Sequence, residues 1–434
     1  MTTPRTRQDA RPTRRAGLSP LAAWRPASWL ATRRFWRSNA GALLALGAMT
    51  LPVGAQAPRG AGPPLPFTVG AITQVAQLIG PTPRSPAAAL SQDANSINDT
   101  TRWGICGGDL GSVMVARDTA YIILGDNYTS CPPGTGGPGA NLLPPDWRSN
   151  AVGVIPRPGD FTQGLHITRW LSHDGKHAAE IIPSRHDAGA CQQTKAPGCE
   201  VTTIPTAGFS TGDRLFLAFM SVHNWTAPGA WEVNYSSFAM SADQGRSWTV
   251  ETPTIRWGPR SNFAQVAVTP DPSARYLLLF GIPAGRFGAV KLMRTRAAWQ
   301  QVLRGHDYEY FSGPDARGRP RWTRNQAVAA TIADAPVGEL SVIYDPGLQQ
   351  WLMTYLQGGN DQIMPSSGNL VIRAAPHYWG PWSRPATLVT QQQYPGLYGA
   401  FMHPRFLADG GHTVYFTLSQ WNPYSVFWMS ASLR

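Results

Sequence analysis

Two short glycine-rich stretches, GGDLG at residues 107–111 and GDN at residues 125–127, each carry one aspartate. The intervening SVMVARDTAYIIL predicts strand, turn and strand, so that Asp109 and Asp126 are equidistant from the turn centre. Directly opposed residues of antiparallel strands have Cβ atoms about 5 Å apart. Two carboxylates this close repel, and one is driven toward its protonated form. A proton donor beside an anionic carboxylate is the pairing that hydrolysis of a glycosidic bond requires.

The first 57 residues predict an export signal rather than part of a folded domain. They hold nine arginines, no lysine and one acidic residue, and end in an apolar run and the small-residue site AQA. The run is too short to span a bilayer. The segment TRRFWR at residues 32–37 resembles a twin-arginine signal, and an ordinary secretory signal is the alternative. We expect a secreted, periplasmic or cell-surface protein without a membrane-spanning segment.

The charge of the chain argues against a nucleic-acid partner. The whole sequence has a net charge of +12, but the predicted signal holds most of the excess, and the remainder is close to +4. A strong basic balance would indicate nucleic acid or a membrane surface. Because little of it remains after export, we expect a neutral or weakly charged partner.

All four cysteines follow the predicted signal, at Cys106, Cys131, Cys191 and Cys199. An even number of cysteines in an exported chain indicates disulfides, with three possible connectivities. Proximity in sequence favours Cys106–Cys131 and Cys191–Cys199. The spacing C-x-x-C, typical of zinc ligands, does not occur. We therefore expect no metal site and no cofactor.

The rest of the chain predicts an all-β fold. Residues 58–95 are rich in Pro, Ala and Gly and are interpreted as a linker with one strand at TVGAITQVAQLIG. Residues 96–434 alternate short apolar segments with Gly, Pro, Asp and Asn turns, as in a sandwich, barrel or propeller. This length exceeds one sandwich and suits a β-propeller, for which five blades would be natural.

Two further patterns support the propeller and a sugar ligand. Residues 241–248 (SADQGRSW) match the Asp box S-x-D-x-G-x-x-W, a hairpin turn found in many propellers. Several of the 17 tryptophans lie beside polar turn residues, among them Trp225 and Trp421. Flat rings of this kind can bind the apolar faces of sugars, although most propeller tryptophans pack between sheets. We expect one or two of them to contact ligand.

The segments WGICGGDLG, LGDN, NFAQVAV, GIPAGRFG, VGELSV, GLYGAFMHP and SQWNPYSVF resemble an exported family of endo-D-arabinanases, glycoside hydrolase family 183, formerly a domain of unknown function. The resemblance runs from about Trp103 to the C-terminus. It implies a five-bladed β-propeller that cleaves internal α-D-arabinofuranosidic bonds of mycobacterial-type arabinogalactan and lipoarabinomannan. Its two essential acids correspond to Asp109 and Asp126. Asn127–Tyr128 departs from the Thr-Phe frequent in relatives but leaves both carboxylates in place.

The resemblance also implies substrate-binding residues. Asp126 is expected to be the general acid and Asp109 the base or nucleophile, with the reverse assignment and both stereochemical outcomes open. We expect a monomer that acts on polysaccharide. The alternatives are another arabinanase or furanosidase, or a carbohydrate-binding propeller without catalysis. Residues expected to line the cleft are Trp225, Asn262, Arg286, Glu339, Tyr398, His403 and Trp421.

Overall fold

The structure is a computed structural model, and it describes residues 62–81, 96–129, 146–187, 189, 191, 196–250, 255–358, 368–421 and 423–434. The predicted export signal, residues 1–57, lies outside the described residues and stays a prediction. Within these ranges, no helix is both long enough and apolar enough to cross a membrane.

Strands dominate the described residues. A short α-helix is Trp299–Val302, and the 3₁₀ turns are Thr101–Trp103, Phe161–Gln163, Gly305–Asp307, Gln326–Val328 and Asp409–Gly411. The strands are β1 (Val69–Gln77), β2 (Gly107–Ala116), β3 (Thr119–Tyr128), β4 (Ala151–Pro156), β5 (Arg169–Trp170), β6 (Thr202–Thr211), β7 (Arg214–Ala227), β8 (Ala230–Ser241), β9 (Thr249–Val250), β10 (Gln265–Pro270), β11 (Tyr276–Ile282), β12 (Gly288–Arg296), β13 (Glu309–Pro314), β14 (Pro320–Thr323), β15 (Thr331–Val337), β16 (Leu340–Asp345), β17 (Gln350–Gln357), β18 (Asn369–Ala375), β19 (Ala386–Val389), β20 (Leu397–Ala408), β21 (Thr413–Gln420) and β22 (Ser425–Leu433).

These strands form five antiparallel sheets, the blades of a β-propeller, which confirms the predicted fold. Blade 1 is β2–β5, blade 2 is β6–β9, blade 3 is β10–β15, blade 4 is β16–β19, and blade 5 is β20–β22 with β1. The first strands of successive blades contact one another in order, and β20 contacts β2, which closes the ring. Middle strands such as β17 are buried on both faces because each blade packs between two others.

The ring is completed by a strand from the segment interpreted as a linker. Strand β1 pairs antiparallel with β22, from Val69 opposite Leu433 to Gln77 opposite Phe427. The propeller therefore begins well before residue 96, the boundary drawn from composition. The physical reason is that β22 would otherwise present an unpaired edge, and the N-terminal strand satisfies its backbone groups.

The Asp box forms the predicted turn in blade 2. The Asp243 carboxylate accepts hydrogen bonds from the Ser241 hydroxyl at 2.8 Å and from the Ser247 backbone N–H at 2.9 Å. The Trp248 indole donates to the Gly245 carbonyl at 3.1 Å. The motif therefore fixes a hairpin at the end of β8 and is structural.

One predicted disulfide lies wholly within the described residues, and the other only in part. Cys191 and Cys199 are buried and bonded to each other. Cys106 is also buried and disulfide-bonded, and because its predicted partner Cys131 lies outside the described residues, the identity of that partner stays a prediction.

Candidate functional site

The hairpin of β2 and β3 carries both aspartates, but with a different register from the simple one predicted. Gly108 pairs with Asn127, and Ser112 pairs with Ile123, as the count from the turn requires. Between these pairs the register shifts, and Leu110 pairs with Leu124. Asp109 and Asp126 thus lie within two compensating bulges rather than at a regular ladder pair. Such bulges re-aim side chains at the rims of sheets.

The backbone at these bulges is unusual. Leu110 has φ 61° and Gly111 has φ 78°, and the left-handed region is rare for a bulky residue such as leucine. Strain of this kind is concentrated at functional sites. Gly125 lies so close to Asp109 that a Cβ atom there would be 2.4 Å from the Asp109 Oδ1. A glycine at position 125 is therefore needed to make room for the carboxylate.

Both aspartates line a pocket on the propeller axis. The innermost strands all begin at this face, which we call the upper face, and the turns between the second and third strands of each blade lie there too. The pocket wall includes Asp109, Asp126, Arg286, Glu339 and Tyr398. Both aspartates are half-buried residues, and the Asp109 Oδ1 atom is fully buried.

Asp109 is held from one side by tyrosines. The Tyr398 hydroxyl donates to the Asp109 Oδ2 at 2.9 Å, and Tyr424 lies beside the same carboxyl group. Burial raises the pKa of Asp109 to about 7, while both tyrosines act in the opposite direction. The Oδ1 atom has no hydrogen-bond partner among the described residues. Asp109 can therefore gain or lose a proton near neutral pH.

Asp126 has different hydrogen-bond partners, and its pKa is also raised. The Thr202 hydroxyl of blade 2 donates to the Asp126 Oδ1 at 2.7 Å. Burial first, and the neighbouring Asp109 second, raise the pKa of Asp126 well above its usual value. Because the two carboxyl groups disfavour each other's ionisation, the pair retains a proton at neutral pH.

Arg286 and Glu339 form a buried ion pair beside the aspartates. The Arg286 Nε and Nη2 donate to the Glu339 carboxylate at 2.7–3.0 Å, a bidentate geometry. The guanidinium carbon also lies 5.0 Å from the Tyr398 ring centroid. This arrangement pairs Glu339 with a cation, and the guanidinium packs against the tyrosine that binds Asp109.

Tyr424 connects blade 5 to the aspartate hairpin. Its hydroxyl donates to the Asp126 backbone carbonyl at 3.1 Å, and its ring stacks on Tyr128 at 5.4 Å. Its φ of 66° is again in the left-handed region. Tyr424 lies in the segment SQWNPYSVF that carries the resemblance, but nothing in its residue type or spacing marks it as a site residue, and no sequence pattern indicates Thr202.

The structure brings most of the predicted site residues together. Trp225, Arg286, Glu339 and Tyr398 line the pocket with both aspartates. Trp421 packs edge-on against Tyr424 at 5.7 Å, next to the pocket. Asn262 lies in the turn before β10, near the pocket residue Gln265, but does not line the pocket itself.

His403 lies in a different cavity. It is on β20, five residues beyond Tyr398, and lines a second cavity deeper along the axis. Its Nδ1 accepts a hydrogen bond from the Arg405 backbone N–H at 3.1 Å, and burial lowers the pKa of His403 to about 4. The two cavities meet at Thr206, Leu340 and Phe401. The structure therefore separates His403 from the aspartates, because the inner strand carries it down the axis.

One group of potential metal ligands occurs among the described residues. Cys191, Cys199 and His223 bring their ligand atoms within 4.8 Å of one another. The two sulfur atoms are joined in the disulfide and are not thiolates, the form that binds metals. This cluster is therefore read as a disulfide with an adjacent histidine.

The protein is a five-bladed β-propeller with two aspartates in its axial pocket. Residues 95–430 match the family described as "Domain of unknown function (DUF4185)", and the chain belongs to that family. No curated protein sequence matches the chain.

Solved structures share the propeller at low sequence identity. A Bacteroides ovatus protein, provisionally assigned as a hydrolase, has a TM-score of 0.52 at 13% identity, over 76% of this chain and 87% of that one. An α-L-arabinanase of Cellvibrio cellulosa has 0.38 at 10%, over 76% and 91%. An arabinanase of Bacillus subtilis has 0.37 at 11%, over 76% and 96%. The first of these likenesses supports the fold.

Proposed function

We propose that this protein is a glycoside hydrolase that cleaves internal α-D-arabinofuranosidic bonds of arabinan. The observation that carries the proposal is the Asp109–Asp126 pair, which shares one pocket, accepts hydrogen bonds from different side chains and has both pKa values raised. Pairs of acids whose surroundings separate their pKa values are typical of acid–base assignments in enzymes.

In this reaction Asp126 is the general acid and Asp109 is its ionised partner. We assign the proton to Asp126 because burial and the charge of Asp109 both raise the pKa of Asp126, while Tyr398 and Tyr424 favour the anion of Asp109 and Thr202 and Trp147 act in the same way on Asp126. Asp126 protonates the leaving glycosidic oxygen as the bond to the anomeric carbon breaks. Asp109 either attacks that carbon as the bond breaks, after which a water deprotonated by Asp126 hydrolyses the glycosyl ester, or removes a proton from a water that attacks the carbon directly, according to the separation of the carboxyl groups.

The substrate class rests on the pocket and on the family 183 resemblance. The pocket combines apolar walls, such as Ile204 and Phe401, with the donors and acceptors of Arg286 and Glu339. Sugars present both apolar C–H faces and hydroxyl groups to such a surface. The buried Cys191–Cys199 disulfide is in keeping with action outside the cytoplasm.

The direct test compares three purified polysaccharides. The protein is incubated with D-arabinan, L-arabinan and galactan, and new reducing ends and product lengths are measured. We expect short D-arabino-oligosaccharides, with activity reduced at least about 1000-fold in Asp109→Asn and in Asp126→Asn while the folded state is retained. Cleavage of L-arabinan alone would indicate another arabinanase, and binding without cleavage would indicate a carbohydrate-binding propeller.

A further inference from the structure

Two exposed aromatic rings flank the pocket at the upper face. Among the described residues, the exposed large apolar side chains are Phe287, Val328 and Trp421, with 46%, 54% and 37% of their surface accessible. Exposed rings cost hydrophobic free energy, so their position is informative. Two of the three adjoin residues of the aspartate site.

Phe287 belongs to blade 3 and Trp421 to blade 5. Phe287 directly follows the pocket residue Arg286, in the turn between β11 and β12, and it lies near Gly358 at the end of β17. Trp421 lies in the turn between β21 and β22 and contacts Tyr424, whose hydroxyl binds the Asp126 carbonyl. Both turns connect a second strand to a third strand, so both project at the upper face.

The order of the blades places the rings on different sides of the pocket. Blade 5 adjoins blade 1, which carries both aspartates, whereas blade 3 is separated from blade 1 by blade 2 on one side and blade 4 and blade 5 on the other. Blades 3 and 5 both adjoin blade 4, so the two rings lie at separate positions on the rim of the pocket, two blades apart. A ligand that is bound at the aspartates and touches both rings must extend from the pocket in two directions.

We propose that Phe287 and Trp421 are aromatic platforms that bind sugar residues on either side of the cleaved bond, so that the enzyme accepts an internal segment of a neutral polysaccharide chain. This inference rests on the proposed function and adds the basis for internal cleavage. An aromatic face binds the C–H face of a furanose, and no charge on the ligand is needed. An enzyme that removed only terminal residues would need a platform on one side alone.

The test uses chain length as its variable. Phe287→Ala, Trp421→Ala and the double variant are assayed on polymeric D-arabinan and on the shortest arabino-oligosaccharide that the wild type cleaves. We expect KM for the polymer to rise about tenfold per ring, the scale for loss of one well-packed aromatic contact, while kcat/KM on the shortest substrate changes less than about twofold. Trp421→Phe should recover most of the polymer activity.

Val328→Ala is the matched control. Val328 is as exposed as the two rings but lies between β14 and β15, away from the pocket. If the ring variants match Val328→Ala on the polymer, the platform proposal is wrong. Equal losses on polymer and shortest substrate would also overturn it, because they would indicate damage to Tyr424 or the aspartates.

A binding measurement separates this proposal from the proposed function. Each variant also carries Asp126→Asn, so that it does not cleave the polysaccharide. Its retention during electrophoresis in gels that contain D-arabinan is compared with its retention in plain gels. If the wild type cleaves no arabinan, the proposed hydrolase function fails. Weaker retention of the ring variants alone would then still support the platforms, and unchanged retention would overturn them.

Discussion

At the scale of single residues, the two pocket aspartates differ in the groups that donate to them. Asp109 accepts from the Tyr398 hydroxyl and lies beside Tyr424, whereas Asp126 accepts from Thr202 and experiences the charge of Asp109. Hydrogen bonds to a carboxylate stabilise its anion, and burial destabilises it. Burial outweighs the hydrogen bonds at both positions, and the pKa of each aspartate is raised.

Tyr398→Phe tests the role of this hydrogen bond. Loss of the donor removes an interaction that lowers the pKa of Asp109, so this pKa rises above about 7. Because the reaction needs ionised Asp109, the acidic limb of the kcat/KM profile should move to higher pH by about one unit. The other groups that face Asp109 are Tyr424, Glu339, Arg286 and Asp126.

The control for this substitution is Tyr415→Phe in the same blade, where the ring packs against Trp428 and Phe161. It should leave the pH profile unchanged. An acidic limb that stays in place in Tyr398→Phe, with only kcat reduced, would show that Tyr398 does not tune Asp109.

Ionisation of the pocket carboxyl groups should also lower the free energy of unfolding. The pKa of Asp109 is raised by folding, from 3.8 to about 7, so the folded state binds the proton more tightly than the unfolded state. The contribution of Asp109 to stability is therefore fully present below about pH 4 and is lost as pH rises through 7. In Asp109→Asn no carboxyl group ionises at this position, so the variant does not lose this stability as the pH rises. Its melting temperature should exceed that of the wild type by roughly 2–5 °C at pH 8, as the partly exposed carboxyl group is screened.

The same comparison at pH 4 supplies the control, because Asp109 is then protonated in the folded state and is uncharged like asparagine. Calorimetric scans at the two pH values measure the difference directly. A variant less stable than the wild type at pH 8 would contradict the burial cost.

At the scale of elements, the β2–β3 hairpin positions the pair through its bulges. Gly125 faces the Asp109 carboxylate, and an alanine there would place Cβ 2.4 Å from Oδ1 and 3.0 Å from a Leu110 methyl. Gly125→Ala should therefore displace Asp109 and reduce kcat at least about 100-fold, because small misplacements of catalytic groups are costly. Hydrolysis of D-arabinan measures the loss.

Gly159→Ala is the matched substitution, because a Cβ at position 159 would meet no atom within 4 Å. It should retain wild-type activity and stability. Equal activity of the two variants would show that the close approach at Gly125 does not position the carboxylate.

Strands were the most predictable elements, and the bulges the least. Apolar segments such as AYIILG and LFLAFM have both faces buried between blades, so they form continuous runs that indicate strands. The bulges depend on the left-handed φ of Leu110, and a leucine in the sequence does not indicate this conformation. Thr202 contacts Asp126 from another blade, at a separation of 76 residues in the sequence, and the local sequence does not indicate such a contact.

At the scale of the whole molecule, closure of the ring explains why composition misled at the N-terminus. Strand β1 lies between segments rich in Pro, Ala and Gly. It is stabilised by pairing with β22 at the other end of the described chain. A further pairing that composition did not indicate is in blade 3, where β15 joins β12 beside β13. Both features are long-range pairings that obey geometry rather than local propensity.

Ring closure by β1 can be tested by truncation. A chain that begins at residue 78 lacks β1, and the outer edge of β22, including Phe427 and Leu433, is then unpaired. A chain that begins at residue 62 keeps β1 and serves as the control.

Loss of a nine-residue strand that pairs along β22 removes several kcal/mol of stabilisation from a domain whose total is about 5–15 kcal/mol. The longer truncation should therefore melt at least about 5 °C lower or lose its cooperative transition by circular dichroism, and it should aggregate more readily through the open edge. Identical melting of the two truncations would show that blade 5 is stable with three strands and that β1 is dispensable for closing the propeller.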